Sequence, residues 1–309
     1  MTTGPITILG IFVADLTFIA DRFPAMAETV IGADFRIGPG GKGSNQAVAA
    51  RRAGAEVNLL VKTGNDAFGG MARELFAREG IAAGHIAPSG HLPTGAASIY
   101  VNEASGENAI IVVPGAAGSI TSDEIRGAEA VIAGSHLFMT QFEVPLPVVE
   151  ESLRIARTHG VTTILDPAPA APIAPELYTL VDVLTPNETE AAALCGRAVD
   201  SVGQAERAAN FFLGQGVGTA IVTLGGDGAF VKSAAVCEHV PAFSVGAVVE
   251  TTGAGDAFNG ALAVALSEDR SPIEAVRFAC AAAGISVTRP GTAQSMPTRA
   301  EIDAVLSGK

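Results

Sequence analysis

The feature that most constrains this fold is the alternation of short apolar segments with longer amphipathic ones. Apolar, β-branched runs are typical of strands buried in a parallel sheet, and they occur at 6–13, 57–62, 136–141, 162–166, 181–185 and 219–225. Helical patterns lie between them at 44–54, 66–80, 145–159, 188–195 and 204–215. This order predicts an α/β fold in which helices cover both faces of a mostly parallel sheet.

Two segments interrupt this alternation. Residues 14–37 and 95–113 contain extended runs separated by turns, which predicts antiparallel β pieces inserted at the ends of α/β units. A small sheet made from both segments would lie over the carboxyl-terminal ends of the main strands as a lid. The proline-rich run at 166–175 is too short and too apolar for an interdomain linker, and we expect a loop over the sheet edge. The prediction is one domain over 1–309.

Composition argues against several classes of protein. Lys and Arg number 19 and Asp and Glu number 32, a formal net charge of −13, which is unlike a nucleic-acid-binding surface. No apolar run approaches the roughly 18 residues of a membrane span, and the first residues lack the pattern of a secretory signal. Cys195, Cys237 and Cys280 form no CxxC pair and are expected to be reduced thiols. We expect a cytoplasmic protein without a nucleic-acid or membrane partner.

The segment TTGAGDAFNGAL at 251–262 is the strongest chemical signal. Gly253, Ala254 and Gly255 carry almost no side chain, and a helical pattern begins at Asp256. Backbone N–H groups converge at the start of a helix and make an anion site suited to phosphate. An aspartate on that first turn can accept a proton from an alcohol while the phosphoryl group is held in place, as in-line transfer requires. The alternative is an ordinary helix with an aspartate cap.

The segment GPGGKGSNQA at 38–47 has the G-x-G-x-x-G spacing of a dinucleotide-binding loop. That interpretation fails because the next strand ends at Lys62, with no acidic residue where a ribose hydroxyl would be met. The segment is not a Walker A loop either, since Lys42 is followed by Gly43. We interpret it as a loop where the backbone approaches a ligand, with Lys42 and Asn45 as polar contacts. The alternative is a tight turn with an exposed lysine.

Two weaker motifs follow strands later in the chain. In TPNETEA at 185–191, Asn187 and Glu190 could face one point and suit hydrated Mg²⁺, although Asn187 as a helix cap is the competing interpretation. In TLGGDG at 223–228, a strand enters a glycine-rich turn that could hold an adenine nucleotide. Turns of this composition are common, so this motif alone does not identify a site.

These motifs, in this order, resemble those of the ribokinase family among the phosphofructokinase-B-like carbohydrate kinases, and the resemblance extends from residue 9 to residue 291. It implies a three-layer α/β/α domain with a mostly parallel central sheet and a small β-sheet lid that forms a homodimer interface. It also implies that the partners are a sugar and ATP, with Mg²⁺. The predicted activity is transfer of the γ-phosphoryl group of MgATP to a primary hydroxyl of a pentose, ribose or 2-deoxyribose, giving the 5-phosphate.

The resemblance also implies roles for individual residues. The general base would be Asp256, and the anion hole Gly253, Ala254 and Gly255. Sugar hydroxyls would be held by Asp15, Gly41, Lys42, Asn45 and Glu143, with Asp256 beside them. The nucleotide site would comprise Asn187, Glu190, Thr223, Gly225, Gly226, Gly228, Gly255 and Cys280. A monovalent cation, K⁺, would lie at Glu250, Thr252, Ser286, Arg289, Gly291 and Ser295, several of them acting through backbone carbonyls.

Two positions depart from the family's pattern. Glu250 stands where an aspartate is usual, and the preceding Ala247-Val248-Val249 is one residue longer, so the departure bears on K⁺ activation. Val13 stands where ribokinases carry an asparagine that bonds a ribose hydroxyl, whereas deoxyribose-handling relatives have an apolar residue there. Val13 therefore favours a changed acceptor. The alternatives are a nucleoside or ketohexose kinase on the same scaffold, a non-catalytic sugar-binding protein, and a dehydrogenase.

Overall fold

A computed structural model describes residues 4–105 and 107–308. Gly106, inside the second predicted lid segment, lies outside the described residues, as do the chain ends at 1–3 and 309. The strands are β1 (Ile6–Leu9), β2 (Val13–Ala20), β3 (Asp34–Gly40), β4 (Val57–Leu60), β5 (Thr94–Asn102), β6 (Asn108–Gly115), β7 (Leu137–Gln141), β8 (Thr162–Asp166), β9 (Val183–Leu184), β10 (Thr219–Thr223), β11 (Ala229–Ser233) and β12 (Cys237–Val240). The α-helices are α1 (Lys42–Arg52), α2 (Ala67–Glu79), α3 (Ser122–Gly127), α4 (Glu129–Ala133), α5 (Leu146–Thr158), α6 (Pro175–Tyr178), α7 (Glu188–Cys195), α8 (Val202–Gln215), α9 (Ala254–Ser267), α10 (Pro272–Ser286) and α11 (Arg299–Leu306).

The main sheet has eight strands in the order β12-β11-β10-β9-β8-β7-β1-β4. The strands from β10 to β4 pair in parallel, as the sequence predicts. At the other edge, β11 and β12 form an antiparallel hairpin against β10. The sequence analysis does not predict this hairpin, because polar residues interrupt the apolar pattern of both short strands.

Helices cover both faces of the main sheet. Ile6 and Ile8 of β1 belong to a core shared with α1, α9 and α10, whereas Leu9 belongs to a second core shared with α3, α5 and α8. Successive side chains of a strand point to opposite faces, so the two cores lie on opposite sides of the sheet. This is the three-layer α/β/α arrangement that the resemblance implies.

The second sheet, which we call the lid, has the strand order β3-β2-β5-β6. Its hairpins β2–β3 and β5–β6 are antiparallel as predicted, but the two hairpins join through a parallel pair, β2 with β5. The lid strands begin at Val13 and Thr94 and end at Gly40 and Gly115, so both predicted lid segments are slightly too short. The predicted strand at 6–13 is wrong at its end, because the chain leaves the main sheet after Leu9.

Other predicted boundaries differ from the structure by at most two residues. The glycine-rich turn predicted at 38–43 is partly strand, since β3 continues to Gly40 and α1 begins at Lys42. Helix α9 begins at Ala254 rather than at Asp256. The proline-rich run becomes a loop between β8 and α6, as predicted.

Across the described residues, the structure contains no helix with the length and apolar character needed to span a bilayer.

The lid lies at the carboxyl ends of the parallel strands, because β2 begins shortly after β1 ends. The segments that follow β7, β8, β9 and β10 emerge at the same edge of the main sheet. In open α/β sheets, ligands bind at this edge. Most of the residues singled out by the sequence motifs lie there.

Candidate active site

Helices α1 and α9 pack closely because Gly260 has no side chain. A Cβ atom at Gly260 would lie 2.5 Å from the Ala49 Cβ and 2.6 Å from the Gln46 carbonyl oxygen. This contact holds Asp256, one helical turn earlier, beside the first turns of α1. Asp256 Oδ2 accepts a hydrogen bond from Asn45 Nδ2 over 3.0 Å, and Oδ1 accepts one from Gln46 Nε2 over 3.1 Å. Both oxygens of this carboxylate are therefore fixed in direction.

The first turn of α9 presents backbone donors next to that carboxylate. Gly253 caps the helix with φ 81°, a left-handed conformation that glycine adopts at no steric cost. The N–H groups of Gly255 and Asp256 have no hydrogen-bond partner within 4–105 and 107–308. Such groups at a helix start attract anions, and the helix dipole adds to this effect. The predicted anion hole thus coincides with a helix start.

Asp256 lies in a cluster of buried and half-buried acidic groups. Burial raises the pKa of Asp256, opposed by Lys42 and by the hydrogen bonds from Asn45 and Gln46. Burial also raises the pKa values of four neighbouring carboxyl groups. It raises the pKa to about 7 for Asp15, Glu143 and Asp166, and it raises the pKa of Glu190 above its ordinary value. A carboxyl group whose pKa approaches the working pH is suited to proton transfer.

Lys42 is a cation within this cluster. Burial alone would lower its pKa, but the combined field of Asp166, Asp256, Glu143 and Glu190 raises the pKa above its ordinary value. Its Nζ lies 3.8 Å from Asp166 Oδ2, and its backbone N–H donates to Glu143 Oε2 over 2.8 Å. Lys42 is therefore charged at neutral pH and offsets part of the negative charge of the site.

Asp15 reaches the cluster from the lid. Its carboxylate lies against Gly40 of β3, where a Cβ atom would come within 2.1 Å of Asp15 Oδ1. Burial raises the pKa of Asp15, Thr292 opposes this effect, and the charges of Asp256 and Glu250 add to it. The Thr292 hydroxyl also donates to the Pro39 carbonyl over 2.9 Å. The lid and the loop before α11 are thus connected at the sugar-binding residue that the resemblance implies.

A cavity of about 510 Å³ opens beside the first turn of α9. Seven residues that the sequence analysis assigns to a nucleotide line it: Asn187, Thr223, Gly225, Gly226, Gly228, Gly255 and Cys280. Apolar side chains, including Phe243, Val245, Val248 and Val287, form much of the remaining wall. A largely apolar cavity that ends at a helix start has the shape and chemistry to hold an aromatic base with attached phosphates.

Glu190 is the predicted nucleotide residue that does not line this cavity. Its carboxylate Oε2 accepts from the Asn187 N–H over 2.9 Å, and its own N–H donates to Asn187 Oδ1 over 2.9 Å. This capping box at the start of α7 confirms the competing helix-cap interpretation. Asn187 also borders the cavity, so the cap places it at the nucleotide site without making its side-chain oxygen a free metal ligand.

The residues assigned to a monovalent cation lie in the loops that flank α9 and α10, or at the ends of those helices. Glu250 Oε2 accepts from the Gly291 N–H over 2.9 Å. The hydroxyls of Ser286 and Ser295 donate to nearby backbone carbonyls, each over 2.8 Å, and the Arg289 guanidinium pairs with Glu301. In the part of the chain that the structure describes, no group of three His, Cys, Asp or Glu residues could hold a metal ion. A cation here would depend mainly on backbone carbonyls.

Three residues of the site are absent from the sequence-based assignments. Gln46 contacts Asp256 and also donates to Asp166 Oδ2 over 2.9 Å, and Gln141 donates to Gln46 Oε1. Asp166 and Gln141 are the last residues of β8 and β7. Their place at the carboxyl ends of predicted parallel strands is a signal that could have identified them. The wall at 242–248 is also missed, because it has no regular periodicity.

Comparisons with known proteins agree with this geometry. The chain matches the family model described as pfkB family carbohydrate kinase over residues 5–299. It is 42% identical over 296 residues to a ribokinase of Haemophilus influenzae, covering 96% of each chain. It is 34% identical over 303 residues to a deoxyribokinase of Salmonella typhi, covering 98% of each. The structure of Arabidopsis thaliana ribokinase complexed with ribose and ATP superposes on it with a TM-score of 0.90, at 29% identity over 99% of each chain.

Proposed function

The chain belongs to the pfkB family of carbohydrate kinases, and we propose that it transfers the γ-phosphoryl group of MgATP to the primary hydroxyl of a pentose. Ribose and 2-deoxyribose are the proposed acceptors, and the product is the 5-phosphate. The observation that carries the proposal is the position of Asp256. This carboxylate lies between the helix start that borders the cavity and the polar side chains of α1. The ribokinase and deoxyribokinase relatives support a pentose as acceptor.

Asp256 is the proposed general base. Its carboxylate would take the proton of the acceptor hydroxyl as that oxygen attacks the γ-phosphorus atom. Hydrogen bonds from Asn45 and Gln46 favour the ionised form, while burial raises the pKa toward the pH at which the base works. The base is therefore held in a fixed direction, with two hydrogen bonds that favour the form able to accept a proton.

The start of α9 is the proposed phosphate site. The anion hole at Gly253, Ala254 and Gly255 would hold the γ-phosphoryl group and stabilise the charge that develops during transfer. Its free donors among the described residues are the N–H groups of Gly255 and Asp256, because the Ala254 N–H donates to the Thr251 carbonyl over 3.2 Å. The adenine would lie in the apolar part of the cavity between the glycine-rich turn at 225–228 and Val287. Lys42 adds positive charge on the acceptor side of the transferred group.

Mg²⁺ is proposed to accompany ATP near α7. Glu190 Oε2 is engaged by the Asn187 N–H, and the second oxygen of this carboxylate has no partner among the described residues. An oxygen ligand of this kind suits a hydrated Mg²⁺ ion that is held mainly by phosphates and water. When bound, the ion would neutralise charge on the phosphates.

The sugar is proposed to lie between α1 and the lid. Asp15, Lys42, Asn45 and Glu143 would bond its hydroxyls, with Gly41 allowing close approach of the backbone. Asn45 Oδ1 is buried and has no hydrogen-bond partner within the described residues, as expected of an acceptor that receives a ligand hydroxyl. Val13, which is 2% exposed, offers only apolar surface. This favours an acceptor that needs no hydrogen bond there.

A K⁺ site beside the anion hole is part of the proposal. Thr252 lies just before α9, Ser286 is the last residue of α10, and Arg289, Gly291 and Ser295 follow that helix. Backbone carbonyls of these residues are the proposed ligands. The Glu250 carboxylate ties the loop before α9 to Gly291 in the loop after α10. A bound K⁺ would hold these loops and add positive charge near the phosphate site.

Assembly as a homodimer through the lid is also proposed. The lid face that points away from Asp15 carries large apolar side chains, which are 45–72% exposed: Phe18, Phe35, Ile37, Ile111 and Val113. A contiguous apolar face of this kind marks an interaction surface. Sedimentation velocity should give a dimer for the parent and a monomer for Ile111→Glu. A parent that sediments as a monomer would contradict this assembly.

An ADP-release assay against ribose, 2-deoxyribose, ketohexoses and nucleosides tests the proposed function. We expect the highest kcat/KM with one of the two pentoses. Higher values with a nucleoside or a ketohexose would assign the chain to another kinase of the same scaffold. Sugar binding without ADP release from any acceptor would favour a non-catalytic sugar-binding protein. Family membership removes the dehydrogenase alternative.

A further inference from the structure

Gln46 joins two buried carboxylates that belong to different elements. Its Nε2 donates to Asp256 Oδ1 of α9 over 3.1 Å and to Asp166 Oδ2 of β8 over 2.9 Å. Gln46 is fully buried, and Asp166 and Asp256 are 4% and 5% exposed. One amide group therefore directs both of its N–H bonds at acidic side chains that are shielded from solvent.

The two carboxylates determine which end of this amide faces them, and Gln141 contacts the other end. Its Nε2 donates to Gln46 Oε1. If the Gln46 amide were flipped, its carbonyl oxygen would face two carboxylates and its NH₂ group would face another NH₂ group. Neither contact could be a hydrogen bond, because a carboxylate only accepts and an NH₂ group only donates. The donors of Gln46 are thus fixed toward Asp166 and Asp256.

These donors matter because most charged groups around Asp256 are acidic. Asp256 interacts electrostatically with charged groups from five elements: Asp15 of β2, Lys42 of α1, Glu143 after β7, Asp166 of β8 and Glu190 of α7. Lys42 is the one cation of this set. Each like charge disfavours the ionised form of Asp256, whereas each N–H donor favours it.

We propose that Gln46, oriented by Gln141, is a positioning residue that keeps Asp256 ionised and aimed at the acceptor hydroxyl. Gln46 does not touch the reacting atoms, and it acts by fixing the carboxylate that receives the proton. Its second donor stabilises Asp166, which in turn pairs with Lys42. The inference rests on the proposed function, since it takes Asp256 as the base.

Two variants separate this role from packing. Gln46→Met keeps the length of the side chain but removes both donors, and Gln46→Glu keeps the shape but adds an acidic group. Loss of a donor raises the pKa of Asp256. When the solution is acidified, the variant should therefore lose activity at a higher pH than the parent does. The acid limb of the kcat/KM profile should move up by about one pH unit in Gln46→Met. In Gln46→Glu it should move at least as far.

The control for added charge is Gln215→Glu, at the end of α8 on the opposite edge of the sheet. Its acid limb should coincide with that of the parent. If the limbs of both Gln46 variants stay within about 0.3 pH unit of the parent while kcat/KM falls, Gln46 only packs and the inference is wrong. Calorimetric binding of MgADP identifies variants that retain the fold. If Gln46→Met does not bind, Gln141→Met removes the anchor instead and should shift the limb in the same direction.

A readout that needs no activity separates this inference from the proposed function. The carboxyl ¹³C signal of Asp256, assigned by its loss in Asp256→Asn, reports protonation of this group directly. Its titration should move to higher pH in Gln46→Met whether or not the parent phosphorylates a pentose. An unchanged titration would overturn the role of Gln46. A parent without activity toward any pentose would instead contradict the proposed function.

Discussion

Asn45 and Asp256 are 211 positions apart in the sequence, yet Asn45 Nδ2 donates a hydrogen bond to Asp256 Oδ2 over 3.0 Å. This bond connects the first turn of α1, which follows the lid, to the first turn of α9, which borders the nucleotide cavity. A residue proposed to hold the sugar thus also holds the proposed base. Changes at the sugar site are therefore expected to affect turnover as well as sugar affinity.

The acceptor prediction depends on Val13. A ribose hydroxyl placed against this side chain would lose its water and gain no partner, which costs about 1–3 kcal/mol. We expect 2-deoxyribose to be used at least as efficiently as ribose. Val13→Asn should shift the ratio of kcat/KM values toward ribose by about tenfold. Both sugars are assayed on both proteins at saturating MgATP, with Val13→Ala as a variant that changes size but adds no polar group.

A ratio that Val13→Asn does not change, in a parent that strongly prefers ribose, would show that this position does not contact the distinguishing hydroxyl. The same shift in Val13→Ala would assign the effect to space rather than to hydrogen bonding.

The cation prediction concerns the loops at 250–252 and 289–295. Replacing K⁺ by tetramethylammonium at constant ionic strength should lower kcat severalfold, because the loops beside the anion hole lose the ion that holds them. Initial rates over a range of K⁺ concentrations give the measurement, and Na⁺ serves as a size control. Equal rates in K⁺ and in the organic cation would mean that the Glu250–Gly291 contact holds the loops without an ion.

The lid prediction follows from Asp15 on β2, which contributes to the cluster around Asp256. Sugar binding should protect the backbone amides of both lid hairpins from hydrogen exchange, because the strands close over the ligand. Exchange is followed with and without sugar, and α8, which packs against β10 and β11, serves as an internal reference. Equal protection of the lid in both states would contradict closure.

The pH dependence of stability follows from the raised pKa values of Asp15, Glu143 and Asp166, each about 7. In the unfolded chain these groups titrate near 4, so the folded state binds more protons between the two values. The free energy of unfolding of the ligand-free protein should therefore fall as pH rises from about 5 to about 8. Groups with lowered pKa values, such as Glu301 at about 2, lose their contribution only in more acidic solution.

Urea denaturation at fixed pH steps measures this dependence. Asp166→Asn removes one of the buried acids and should flatten the curve, whereas Asp123→Asn on the surface of α3 should leave its slope unchanged. A free energy of unfolding that is constant or rises over this range would contradict the prediction.

Local signals predicted the parts of the site that depend on local backbone geometry. The Gly253–Gly255 segment predicts a helix start with free N–H groups, and the structure has one. The strand–turn at 223–228 contributes four residues to the wall of the cavity: Thr223, Gly225, Gly226 and Gly228. Both features need only a few consecutive residues, so the sequence contains all the information they require.

Long-range packing determined what could not be predicted. Gln46 bridges Asp166 and Asp256 because Gly260 lets α1 and α9 approach closely, a contact between segments far apart in the sequence. The parallel pairing of β2 with β5 likewise joins two hairpins whose local patterns predict only antiparallel turns. The wall at 242–248 has no period of either kind, so no periodicity identified it.

The most direct test of the central claim is the turnover of Asp256→Asn with the preferred pentose and MgATP. This substitution keeps the shape of the side chain but removes the proton acceptor, and Asp123→Asn on the surface is the matched control. We predict that kcat falls by roughly 10²-fold or more, while calorimetric affinity for MgATP stays within about twofold of the parent. A kcat within about threefold of the parent would show that Asp256 is not the base.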